Sequence, residues 1–135
     1  MHRLRTPLLP ALIALCLLGP VAAETLTEAK NAHTRGELAA ARAALDAVLA
    51  STEASAVPVR VANQNLAVIK AQQGDVDGAI ATLEWVIASD PIAAAAFANL
   101  KTLRAFQAAT SISAALGTTG DTALPTLSWL DAPDV

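Results

Sequence analysis

His33 is the only imidazole in the body of the chain, since the second of its two histidines, His2, and its single cysteine, Cys16, both lie among the first residues. It stands just before a glycine turn at Gly36, where a solvated or locally bonded ring is expected rather than a metal ligand or an acid–base group. Asp75 and Asp77 straddle a Gly-Asp turn and could pass for a pair of catalytic carboxylates. Their place at a helix start predicts instead a cap, Asp75, and an exposed neighbour, Asp77. No G-x-S-x-G, H-E-x-x-H or phosphate-binding glycine loop occurs. The residues therefore offer no catalytic constellation, and neither enzyme activity, a cofactor nor a metal is expected.

The elements that must position the remaining polar side chains are helical. Apolar residues make up 54% of the 135 and aromatics only 3%, which favours small-residue helix packing over a sheet of β-branched and aromatic side chains. The fold class is all-α. The formal charge is −3 with a pI of about 5.2, and no basic stripe or run of stacking aromatics is present, so nucleic acid is not an expected partner.

Residues 1–23 have the layout of a cleavable signal peptide: Arg3 and Arg5, an apolar run from Leu8 to Gly19, then small residues ending at Ala23. The run is short of the ~20 residues a bilayer span needs and contains Pro10, so no stable membrane span is expected after cleavage. Cys16 is a hydrophobe of this leader; Leu15 before it does not suit a lipid-attachment site. Cleavage after Ala23 leaves no cysteine and, with Arg3 and Arg5 gone, moves the charge from −3 to −5. A disulfide-free exported chain fits a bacterial periplasm or a secreted location.

Residues 24–116 carry the helical pattern. A first helix is expected from Thr25 to Arg35, turning at Gly36. Gly36/Gly74, Leu38/Val76, Ala41/Ala79, Leu45/Leu83, Val48/Val86 and Leu49/Ile87 are all separated by 38 residues, an internal repeat of turn plus apolar stripe. A break is expected at Ser51 to Val57. Pro58 suits the first turn of the next helix, whose buried stripe is Val59, Ala62, Leu66 and Ile69. Gly74 should end it, Asp75 cap the following helix, and Asp90-Pro91 cap and open a last helix from Ile92 to about Ala109. That helix buries Ile92, Ala96, Leu100, Leu103 and Phe106, with Thr110 to Leu116 a weak continuation. Residues 117–135 read as a flexible linker and an apolar tail holding Leu127, Trp129 and Leu130.

The unit from Arg60 to Pro91 resembles a tetratricopeptide repeat (TPR), a 34-residue helix–turn–helix module. With Pro91 at repeat position 32, Leu66 and Ala67 fall at 7 and 8, Gly74 at 15, Ala79 at 20, Leu83 at 24 and Val86 at 27. Asn63 and Lys70 stand where the family carries aromatics at 4 and 11. The resemblance implies a short α-solenoid of about two such repeats plus an extra C-terminal helix, working as a non-catalytic protein- or peptide-binding scaffold in the cell envelope.

It also implies a concave face lined by the first helix of each repeat. Position 6 is Asn65 and, 34 residues on, Asn99; carboxamides there could hydrogen-bond a bound peptide's backbone, because they both donate and accept. Against this stands solvated helix surface. Thr27 is the corresponding place in the first unit, while Gln64, Lys101 and Arg104 could add polar contacts. The Lys/Arg set with which some members clamp a C-terminal carboxylate is not reproduced. Trp85 lies off the apolar stripe, as packing between units or as an exposed anchor. Leu127, Trp129 and Leu130 form a docking segment, either onto this scaffold or onto a partner. Two rival functions are a self-associating structural module (a homodimer through the last helix) and an accessory subunit of an envelope enzyme.

Overall fold

The computed structural model of the chain describes residues 21–91, 93–120 and 123–133. Five helices follow one another: α1 (Val21–Thr34), α2 (Leu38–Ala50), α3 (Ala56–Gln72), α4 (Val76–Ser89) and α5 (Ala94–Leu116). The described residues contain no strand. The signal-peptide expectation falls mostly on residues 1–20, outside the described residues. No helix among the described residues is long and apolar enough to cross a membrane.

The pairs separated by 38 residues occupy matching environments. Ala41 and Ala79, Leu45 and Leu83, and Val48 and Val86 are all buried, and Leu38, Val76, Leu49 and Ile87 are partly buried. Each unit is an antiparallel hairpin, α1 on α2 and α3 on α4. The units join through α2 on α3, and α5 stacks on α4 as the first half of a further unit. No hairpin can bury its apolar face alone, so stacking hides what each leaves open. Helix α3 sits at the centre, touching α1, α2 and α4, and is therefore buried along most of its length.

The turns close by one device. Gly36 and Gly74 have φ of 76° and 89°, the left-handed region that an L side chain enters only with strain. In each, the amide after the glycine reaches back five residues, Glu37 N to Ala32 O and Asp75 N to Lys70 O, both 2.9 Å. This Schellman closure satisfies carbonyls that the helix end leaves free. Asp75 then caps α4, its Oδ1 accepting from Gly78 N at 2.9 Å. Glu37, at the matching place before α2, makes no such bond. It pairs with Arg35, whose hydrogen bonds hold its carboxyl below the usual range and raise Arg35 in return.

Several expectations need correcting. Asp90 does not cap α5: it follows α4 as its C-cap, accepts from Ala93 N in a turn around Pro91, and faces Arg60 at 3.5 Å. The expected burial of Ile92 lies outside the described residues, and the helix starts at Ala94, after Ala93 has closed back on Asp90. It also runs past Ala109 to Leu116, where Gly117 (φ 65°) closes it as Gly36 and Gly74 close theirs. Asp77 is tied across to α5, accepting from Gln107 Nε2 at 2.6 Å. Val59, Leu100 and Phe106 are only partly buried. Trp85 does not pack between units; it is 51% exposed on α4.

Candidate functional site: a groove across the inner helices

Helices α1, α3 and α5 are the first halves of successive units, so their equivalent faces lie side by side. Asn65 on α3 and Asn99 on α5 occupy that shared face one repeat length apart. Both are buried (0% and 2% exposed), which removes the solvated-surface alternative. A buried carboxamide must find partners for both its ends. It finds them in the chain's own tail.

Asn99 Nδ2 donates to Ser128 O and Asn99 Oδ1 accepts from Ser128 N, each at 2.8 Å. Asn65 does the same to Leu130, Nδ2 to its carbonyl and Oδ1 from its amide, again at 2.8 Å. Each asparagine thus pairs with both backbone groups of one residue, as a neighbouring strand would. In an extended chain residues i and i+2 present these groups along the same edge, about 7 Å apart. The two asparagine side chains, one reaching from α3 and one from α5, bridge to these alternate residues, and the tail crosses the helices from α5 to α3 to α1.

The groove ends on α1. His33 stacks on Trp129, ring centroids 4.3 Å apart and planes 16° from parallel, while its Nε2 lies 2.9 Å from Gln72 Oε1. The ring is therefore bonded and stacked, which corrects the solvated or locally bonded reading. Lys30 pairs with Asp131 at 2.5 Å. Leu124 and Leu127 pack on the core cluster of α3, α4 and α5; Trp129, Leu130 and Ala132 pack on the cluster of α1, α2 and α3.

Magnitudes rank these contacts. The four carboxamide bonds contribute about 0.5–1.5 kcal/mol each, and breaking one leaves a buried group unpaired at about 1–3 kcal/mol. Burying an apolar side chain such as Leu130 fully is worth about 1.5–3 kcal/mol, less here because its burial is partial. Lys30–Asp131 is an exposed pair worth at most about 1 kcal/mol, so it orients more than it holds.

The other expected site residues divide. Gln64 is buried beside Leu130, lining a cavity of about 210 Å³ that also involves Arg60, and its Nε2 has no protein partner. Lys101 and Arg104 do not join the groove. Helical rotation carries them round from Asn99 and Leu103 to the outside, where Lys101 is exposed and Arg104 pairs with Glu84 of α4. Thr27 is also exposed, bonded to its own helix at Ala23 O, and the first unit contributes Lys30 and His33 instead. Neither was legible beforehand, because nothing local marks a lysine or histidine as facing a tail about a hundred residues later. Among the described residues no group of three or more His, Cys, Asp or Glu is placed to hold a metal ion.

A family model described as a tetratricopeptide repeat-like domain matches residues 21–102, from α1 into the first half of α5. No curated protein and no solved structure matches the chain. The tail that fills the groove lies outside the matched residues.

Proposed function

Because the chain belongs to the tetratricopeptide repeat-like family, we propose that it is a non-catalytic scaffold holding an extended peptide segment of a protein partner on its concave face. A single observation carries this reading: two equivalent buried asparagines on adjacent inner helices pair with alternate residues of an extended backbone. Such pairing selects backbone conformation and leaves side-chain choice to the flanking subsites, as a peptide-binding groove requires. The leader pattern of residues 1–23 supports action in the bacterial envelope, after export and cleavage behind Ala23.

The test uses full-length protein whose tail has been loosened by Trp129→Ala, panned against randomised peptides displayed on phage. Enrichment that disappears when Asn65 and Asn99 are both replaced by alanine supports the reading. Enrichment indifferent to those substitutions, or none at all, defeats it.

Self-association is a second reading, favoured by Phe97, Ile112 and Leu116, which leave α5 with exposed apolar side chains. A concentration-independent dimer in sedimentation analysis, lost on Ile112→Ser with Leu116→Ser, would support it.

A further inference from the structure

The tail is an occupant of the groove as well as part of the fold, and its contacts specify what else could sit there. The two asparagine clamps engage only main-chain atoms of Ser128 and Leu130. They accept any residue with an N–H and reject proline, which has none. In the tail, Pro125 and Pro133 both fall outside the clamped positions. Side-chain selection lies between and beyond the clamps: an aromatic at Trp129 to stack on His33, an aliphatic at Leu130 against the α1–α3 core, an acid at Asp131 for Lys30. Leu127 adds an aliphatic before the first clamp, against the other core cluster.

The fit is also incomplete. Trp129 Nε1 is buried with no protein partner, and so is Gln64 Nε2 in the cavity beside Leu130. Gln64 Nε2 stays on the scaffold, so an occupant that brings it an acceptor gains a hydrogen bond the tail does not make, whereas the unpaired Trp129 Nε1 belongs to the tail and weakens only the tail's own hold. The tail is joined to α5 by a linker that begins at Gly117, so it competes through a high effective concentration, in the millimolar range for short flexible tethers. Such a tethered occupant holds the groove against chance peptides yet yields to a better-matched one.

We infer that the groove is a peptide site specific for an extended aliphatic-x-Trp-aliphatic-acid segment, and that residues 124–132 are its built-in competitor, displaced by a partner protein carrying that pattern. This rests on the peptide-scaffold reading and narrows it to one ligand class.

The experiment is fluorescence anisotropy with a labelled peptide of the sequence from Ala123 to Pro133, added to full-length chains. Wild type is compared with Trp129→Ala and with Ser128→Pro, which removes one clamped N–H without touching the core; circular dichroism confirms that each keeps its helix content. The expected result is at least tenfold tighter binding to both loosened chains than to wild type. A peptide with its tryptophan replaced by alanine should lose at least tenfold, and so should binding to a loosened chain carrying Asn65→Ala and Asn99→Ala. Equal binding of the two peptides, or no gain on loosening, overturns the inference, as does a wild-type dimer that exchanges tails between copies. If displayed random peptides still depend on the two asparagines while the tail peptide does not bind, the pattern falls and the scaffold reading survives. If neither binds, both fall.

Discussion

Asn65 and Asn99, one repeat apart in sequence, hold residues two apart in the tail with the same pair of 2.8 Å bonds. A 34-residue spacing between two inner helices is thereby matched to a two-residue spacing in an extended chain. The match makes the groove a reader of backbone conformation.

Replacing either asparagine by alanine breaks two bonds and should cost about 1–3 kcal/mol in urea unfolding. The tail can detach rather than stay with unpaired groups, so the loss is capped by its docking free energy. The double substitution should therefore cost clearly less than the sum of the singles, a coupling of contacts that release one segment. Hydrogen exchange gives an independent check: the Ser128 and Leu130 amides should lose protection while Leu83 in α4 keeps it.

Trp129 and Trp85 should behave oppositely. Trp85→Phe at a half-exposed site should change stability by no more than about 0.5 kcal/mol. In that background all tryptophan emission comes from Trp129, and His33→Ala should shift it to longer wavelength and cost about 0.5–1.5 kcal/mol through the lost ring stack. Unchanged emission would mean that the indole does not rest on His33 in solution.

Gly78 offers a substitution whose sign depends on its neighbour. Glycine to alanine inside a helix ordinarily gains about 0.5–1 kcal/mol. Here a Cβ at residue 78 would overlap the Asp75 carboxylate, forcing it off Gly78 N and losing a cap worth about 1 kcal/mol. Gly78→Ala should therefore be near neutral in the wild type and stabilising once Asp75→Ala has removed the cap. Thermal unfolding of the four-member cycle reads both signs.

The two inter-helix glycines have open space around them, so only backbone strain opposes a side chain there. Gly36→Ala and Gly74→Ala should each cost about 1–2 kcal/mol, the penalty of holding an L residue in the left-handed region. Gly74→Asn should recover part of that loss, because asparagine tolerates this conformation better. Chemical denaturation of the three variants checks the order.

The helical class, the hairpin unit and the equivalence of its two copies were legible from periodicity, because stripes such as Ala41, Leu45, Val48 and Ala79, Leu83, Val86 repeat at one offset and amphipathic pattern is a local property. The capping role of Asp75 was legible for the same reason, as its partner Gly78 is three residues away. The Asp90-Pro91 signal misled because Asp90 faces Arg60 on another helix and lies in a turn of its own, so tertiary placement overrode a local preference.

Sequence by itself determined that Asn65 and Asn99 are equivalent, since the repeat period puts them on one face. Only the tertiary structure decided what they hold, and that His33 and Lys30, rather than Thr27, Lys101 or Arg104, complete the groove. Helix periodicity acts over a few residues and is written in neighbouring letters. The tail meets α1, α3 and α5 across 29 to 65 residues of chain or more, through backbone atoms that every amino acid but proline shares, so no pattern of side-chain types could announce the contact.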